Sequence, residues 1–161
     1  MNKVLIPGSF DPITLGHMDI INRSLKLFDE VEIAIMENPH KTSLFSMQER
    51  KEMVELCVKD LDIKVTVSDG LTVNQATNRG CNIILRGIRS ASDYEYEKNM
   101  MLVNRAMNNQ IETIFLESLP EYAHISSSTV REIMRYGGDI SSFVPKVVVD
   151  YILEHALSKR F

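Results

Sequence analysis

Five short runs of mostly apolar, β-branched residues alternate with helical patterns along this chain, and that order leaves few folds open. The runs span residues 4–6, 31–36, 63–67, 83–85 and 113–116. Between them, apolar residues recur at three- and four-residue spacing, the mark of a helix with one buried face. The spacing predicts a helix over 18–28, with Met18, Ile21, Leu25 and Phe28 on one side. Ser46 and Glu49 form a capping box that opens a second helix, whose stripe is Val54, Cys57, Val58 and Leu61. A short helix over 73–78 stops at Gly80. Ser92 with Glu95 and Thr129 with Glu132 read as two more capping boxes. The first of these opens a helix with Tyr96, Met100, Val103 and Met107 in line. Pro145 suits the first residue of a last helix carrying Val149, Ile152, Leu153 and Ala156.

Strands alternating with helices build right-handed β-α-β crossovers. The predicted fold class is therefore α/β, a five-stranded parallel sheet with helices on both faces. At 161 residues, the chain suits one domain spanning 1–161. Such sheets bind ligands beyond the carboxyl ends of their strands, where the strand order reverses. That singles out residues 7–17, 38–41, 69–73, 86–89 and 118–128.

Composition narrows the classes of function. A formal net charge of −4 argues against a general nucleic-acid binder. Anionic small ligands need only a local group of cations, so they stay open. No run approaches the ~20 apolar residues of a membrane span, and the N-terminus is too short in apolar length for a signal peptide. Cys57 and Cys81 form no Cys-x-x-Cys pair and read as small core residues of a cytoplasmic protein. His40, His124 and His155 lack metal-ligand spacing, so no protein-held metal is expected. The methionines fall at helical spacing and read as core.

Three segments carry chemistry. Gly8-Ser9-Phe10-Asp11-Pro12-Ile13-Thr14-Leu15-Gly16-His17 follows the first strand and opens the first helix, where backbone N–H groups favour anions. The dinucleotide signature G-x-G-x-x-G is absent. Arg86-Gly87-Ile88-Arg89 leaves the fourth strand, and arginine forks match phosphate oxygens. Ile125-Ser126-Ser127-Ser128 meets a helix start after the fifth strand. Each alone also fits an ordinary turn, a surface ion pair or a plain cap. On one sheet edge together they describe a polyphosphate cradle. Lys41 stands beyond the second strand as a further cation.

These residues resemble a known family. Ser9-Phe10-Asp11-Pro12 with Thr14-x-Gly16-His17, and Ile125 through Ser128, are similar to the signatures of the nucleotidyltransferase superfamily. Arg86-Gly87-Ile88-Arg89 with Asp93-Tyr94-Glu95-Tyr96-Glu97 resembles the bacterial phosphopantetheine adenylyltransferases. The resemblance implies a Rossmann-like sheet and adenylyl transfer from ATP to 4′-phosphopantetheine, giving dephospho-coenzyme A and pyrophosphate. It also implies Mg²⁺, feedback binding of coenzyme A, and a homohexamer. Matched residue by residue, it implies ATP binding by Ser9, Phe10, His17, Gly87, Ile88, Arg89, Glu97, Tyr122, Ala123, His124, Ile125, Ser126, Ser127 and Ser128. It implies acceptor binding by Ser9, Lys41, Thr72 and Arg86. Ser9, Ile88 and Ala123-His124 depart from the family's commonest residues at their positions.

An acceptor that is already a phosphate anion needs no general base. The expected site is thus one of positioning and preorganised donors, with His17 and Lys41 as the catalytic pair. The rival readings are a nicotinamide mononucleotide adenylyltransferase, a glycerol-phosphate cytidylyltransferase and a non-catalytic nucleotide sensor.

Overall fold

The computed structural model describes residues 2–39 and 42–156. At its centre five parallel strands lie in the order β3-β2-β1-β4-β5. They are β1 (Lys3–Gly8), β2 (Glu30–Met36), β3 (Ile63–Ser68), β4 (Ile83–Ile88) and β5 (Glu112–Glu117). The helices are α1 (Leu15–Ser24), α2 (Met47–Val58), α3 (Thr72–Asn78), α4 (Ala91–Met107), α5 (Ser127–Arg135) and α6 (Lys146–Ala156). A 3-10 turn at Pro120–Tyr122 leads from β5 towards α5. The predicted five-stranded parallel architecture is the one observed.

Strand side chains alternate between the two faces. Val4, Ile6, Val31, Ile33 and Ile35 join the larger core, with Ile21 of α1, Met53 and Val54 of α2, Val130 of α5 and Val148 of α6. Leu5, Ala34, Met36 and Ile84 join a smaller core with Val73 and Ala76 of α3. Cys81 lies in that smaller core. Burial raises its thiol pKa, and pushes that of Cys57 up to about 12. Neither is a ready nucleophile.

The local start signals need correction at three helices. α1 begins at Leu15, three residues before the predicted start, and ends at Ser24; Thr14 caps it, and His17 takes the place a Glu or Gln usually fills in a capping box. Ser90 rather than Ser92 caps α4, accepting from the Asp93 N–H, and Ser126 rather than Thr129 caps α5. Ser46 and Glu49 cap α2 as predicted. In α6 the buried residues are Val148, Tyr151 and Ile152, while Leu153 is exposed.

The largest departure is α4. Only Glu97 and Asn104 of that helix are buried, and both are polar. Tyr96, Met100, Val103 and Met107, read as a core stripe with the other methionines, are all exposed. Helical spacing reports that one face is apolar, not what covers it.

One break in the sheet positions everything that follows. β4 pairs with β5 along its whole length, but with β1 only at Val4–Ile83 and Leu5–Ile84. Beyond those pairs β1 and β4 part. Pro7 has no N–H with which to continue the ladder. Its carbonyl accepts instead from Nη1 of Arg86, which bridges the gap. β4 runs on past the predicted end at Leu85, so Arg86 and Gly87 are strand residues. The parted strands are where the strand order reverses, the place such sheets bind ligands.

Candidate active site

Two chambers open at that gap, and Ser9 and Asn38 line both. The first chamber gathers Ser9, Gly16, His17, Gly87, Ile88 and Arg89 with the helix start at Ile125, Ser126, Ser127 and Ser128. Three separate turns of the chain, after β1, β4 and β5, thus meet as the sequence predicted.

His17 is held in one tautomer. The Thr14 backbone N–H donates to its Nδ1 at 3.0 Å, and an N–H can only donate. Nδ1 is therefore the acceptor and Nε2 carries the proton. The Thr14 hydroxyl lies 3.0 Å from the same Nδ1 and accepts from the His17 N–H. Burial, with smaller contributions from Arg86 and Arg89, lowers the His17 pKa to about 4. At neutral pH it is an uncharged N–H donor facing the chamber.

Phe10 lies beneath it. Its ring centroid is 4.9 Å from that of His17, and its side chain is buried. Its φ of 48° is a left-handed conformation rare for a bulky residue. Such strain persists only where the surroundings fix it. Gly8 is one reason it can: a Cβ there would stand 2.9 Å from the Phe10 ring. Phe10 itself lines neither chamber, while its neighbours Ser9 and Asp11 line the first.

The serine run works through its backbone too. The Ser126 hydroxyl accepts from the Thr129 N–H, Ser127 donates to the Pro12 carbonyl, and Arg131 donates to Ser128. All three hydroxyls are engaged. What the helix start offers an anion is the first N–H groups of α5, which have no helical partner. Arg89 lines the chamber while pairing with Asp93 at 3.2 Å.

The second chamber is larger, about 440 Å³ against about 240 Å³. It takes Thr72 from the start of α3, Arg86 from β4, and Tyr96, Met100, Met101, Val103 and Met107 from α4. Arg86 grips Glu97 through a fork, Nε to Oε2 at 2.9 Å and Nη2 to Oε1 at 2.7 Å. The fork fixes the guanidinium plane at the gap while leaving donors for a ligand. Glu97, matched to an ATP-binding position, lines this second chamber rather than the first.

Tyr122, Ala123 and His124 line neither chamber. They form the turn before α5, where the Tyr122 carbonyl accepts from the Ile125 N–H and the His124 ring packs edge-on against Phe143. Lys41 and His40 lie outside the described residues.

Sequence reasoning missed the groups that fix the loops. Asp11 accepts from the Leu44 and Phe45 N–H groups at 2.9 Å each and pairs with Arg131. Arg131 also donates to the Asp11 carbonyl and lines the first chamber. Its signal was its place three residues after Ser128, on the same helix face. Arg50 is buried in mid-helix, and only its charge on an otherwise interior face hinted at a role. Among the described residues no group of three or more His, Cys, Asp or Glu could hold a metal ion. No helix among them is long and apolar enough to cross a membrane.

Comparison with known proteins gives the family. The family model described as Cytidylyltransferase-like matches residues 5–133. A phosphopantetheine adenylyltransferase of Finegoldia magna is 50% identical, over 93% of this chain and 93% of its own. That of Lachnoclostridium phytofermentans is 44% identical, over 97% of this chain and 96% of its own. A solved structure from Vibrio parahaemolyticus, described as a nicotinate-nucleotide adenylyltransferase, superposes with a TM-score of 0.71. It covers 100% of this chain and 98% of its own, at 19% identity, a likeness of fold.

Proposed function

The chain belongs to the phosphopantetheine adenylyltransferases of the cytidylyltransferase-like family, and from that premise we propose that it transfers the adenylyl group of ATP to 4′-phosphopantetheine. The products are dephospho-coenzyme A and pyrophosphate. One observation carries the reading beyond membership: the donor-lined chamber and the apolar chamber meet at Ser9 and Asn38, beside the parted strands. The first suits a triphosphate. The second, with a cation at its mouth and a methionine-rich wall, suits a phosphate on a long, mostly uncharged arm.

The acceptor phosphate attacks the α-phosphorus and needs no base. His17 donates from Nε2 to an α-phosphoryl oxygen as charge grows there, and being neutral it begins with no ion pair to break. The N–H groups opening α5, with Arg89 and Arg131, hold the β- and γ-phosphates and the departing pyrophosphate. Arg86 and Thr72 hold the acceptor phosphate, and Lys41 joins His17 at the α-phosphoryl group. Glu97 acts on the acceptor side, through Arg86. Mg²⁺ would be held through the nucleotide and would neutralise phosphate charge there. The donor set fits that arrangement, because the Asp11 carboxylate is already engaged by two N–H groups and Arg131.

The location is cytoplasmic and the assembly a homohexamer. The exposed apolar residues of α4 and β5, among them Leu102 and Ile114, support burial against other copies. Coenzyme A, which carries both halves of the product, competes for the joined chambers. Sedimentation of wild type and Leu102→Glu tests the assembly: a wild-type monomer removes the hexamer and leaves the chemistry untouched.

Pyrophosphate release from Mg-ATP is the decisive assay, with 4′-phosphopantetheine, nicotinamide mononucleotide and glycerol 3-phosphate as parallel acceptors. Release with phosphopantetheine alone is expected. Release with another acceptor instead overturns the assignment of the second chamber.

A further inference from the structure

Arg50 stands on α2, outside every motif that the family resemblance picks out, yet it is 1% exposed. Its guanidinium reaches three loops at once. Nη1 donates to the Ser9 carbonyl at 3.0 Å and to the Met36 carbonyl at 3.4 Å. Nε donates to the Ser46 carbonyl at 3.4 Å, and Nη2 pairs with Glu37 at 3.2 Å. A cation so deeply buried is costly unless its hydrogen bonds are made, and all of these but the Glu37 contact end on backbone carbonyls.

The contact with Ser9 has a directional consequence. Asp11–Pro12 is the cis peptide among the described residues, so the Ser9–Phe10 peptide is trans. In a planar trans peptide the carbonyl and the following N–H point in opposite directions. With the Ser9 carbonyl turned down onto Arg50, the Phe10 N–H turns the other way. Among the described residues it donates to no protein group. Ser9, on this same peptide, lines both chambers, and Phe10 packs against His17. A positive charge on the carbonyl also polarises the peptide and strengthens its N–H as a donor.

We propose that Arg50 is a positioning residue, which holds the Ser9–Phe10 peptide so that the Phe10 N–H meets a phosphate oxygen of the nucleotide. The proposal rests on the nucleotidyl-transfer reading above and extends it to a residue that touches no ligand. The buried Phe10 ring and the Arg50 fork then act on one peptide from its two ends. They keep in place a left-handed conformation that Phe10 would otherwise leave.

The test uses the whole enzyme. Arg50→Lys keeps a charge but loses the fork. It is expected to lower kcat about 10- to 100-fold, less than the full loss of a preorganised donor. The KM for the acceptor should stay within about twofold and the melting curve should remain cooperative. A folded variant within about threefold of wild-type kcat overturns the proposal. So does a variant in which melting temperature and kcat fall while both KM values rise together, since that is a structural role alone. A second readout needs no variant. In wild type carrying ¹⁵N-phenylalanine, a non-hydrolysable ATP analogue should move the Phe10 amide downfield more than the other phenylalanine amides. An unmoved Phe10 amide overturns the proposal even if Arg50 variants do not fold. If wild type binds the analogue but releases no pyrophosphate with phosphopantetheine, the functional reading falls. The amide shift then still tests the Phe10 contact that the proposal requires.

Discussion

The chamber proposed for the nucleotide takes its walls from turns pinned by polar bonds to the rest of the protein, whereas the one proposed for the acceptor takes much of its wall from one exposed face of α4. In the first, Asp11, Thr14 and the three serines have their side-chain oxygens engaged by protein groups. A ligand is left to backbone N–H groups, His17, Arg89 and Arg131. In the second, Tyr96, Met100, Val103 and Met107 face outward, and Arg86 and Glu97 supply the charge. The contrast follows the ligands. A triphosphate in motion along a reaction coordinate needs fixed donors. A flexible uncharged arm needs apolar area, and methionine supplies that adaptably.

The comparison breaks most readily at His17. His17→Ala is expected to lower turnover by about 10²–10³-fold while leaving ATP affinity and fold nearly unchanged. Steady-state kinetics beside calorimetric ATP titration reads both, and a variant within about threefold of wild type removes His17 from the mechanism. Arg86→Ala should act on the other side, raising the acceptor KM on the order of 10–100-fold with the ATP KM steady. It also strands the buried Glu97 carboxylate, so Arg86→Ala with Glu97→Gln should recover part of any lost stability. Equal movement of both KM values would show that the two chambers are not separate. Met100→Ser sharpens the contrast with a smaller effect, an acceptor KM raised about three- to fivefold and no change on the ATP side.

The smallest expected effect is in pH. His17 titrates near 4 when folded and near 6.5 when unfolded, so the unfolded chain takes up its proton first. Its contribution to stability is fully present above pH 6.5 and is lost as pH falls towards 4. The profile of kcat/KM for ATP should accordingly show no histidine break near 6.5. A break there that vanishes in His17→Ala would mean the ring is charged in the free enzyme.

The strand order of chemistry was plain in the sequence because phosphate sites are made of local signals. Gly8 to His17 and Arg86 to Arg89 run out of strand ends, Ile125 to Ser128 follows a strand, and each carries its donors within a few residues. The acceptor chamber was not plain. A methionine stripe on a helix has the same spacing whether it meets a core, a ligand or another subunit, and here α4 offered its polar residues to the interior instead. Arg50 and Asp11 escaped notice for a different reason. The contacts that tie them to the site loops, Arg50 to the Ser9 carbonyl and Asp11 to the Leu44 and Phe45 N–H groups, each span more than 30 residues, and no local pattern records a contact of that range. The His17 cap was missed because histidine seldom fills that role.

The Thr14 cap on His17 reaches beyond the forward chemistry. Since a backbone amide can only give a hydrogen bond, the proposed mechanism has the imidazole enter and leave each turnover in one ionisation state. No proton has to be collected before the adenylyl group moves or discarded afterwards. By microscopic reversibility the same neutral donor serves when pyrophosphate attacks the product. The enzyme thus sets how fast equilibrium is reached, in either direction. Net flux is governed by the concentrations of the four reactants, and above all by whatever reaction hydrolyses pyrophosphate.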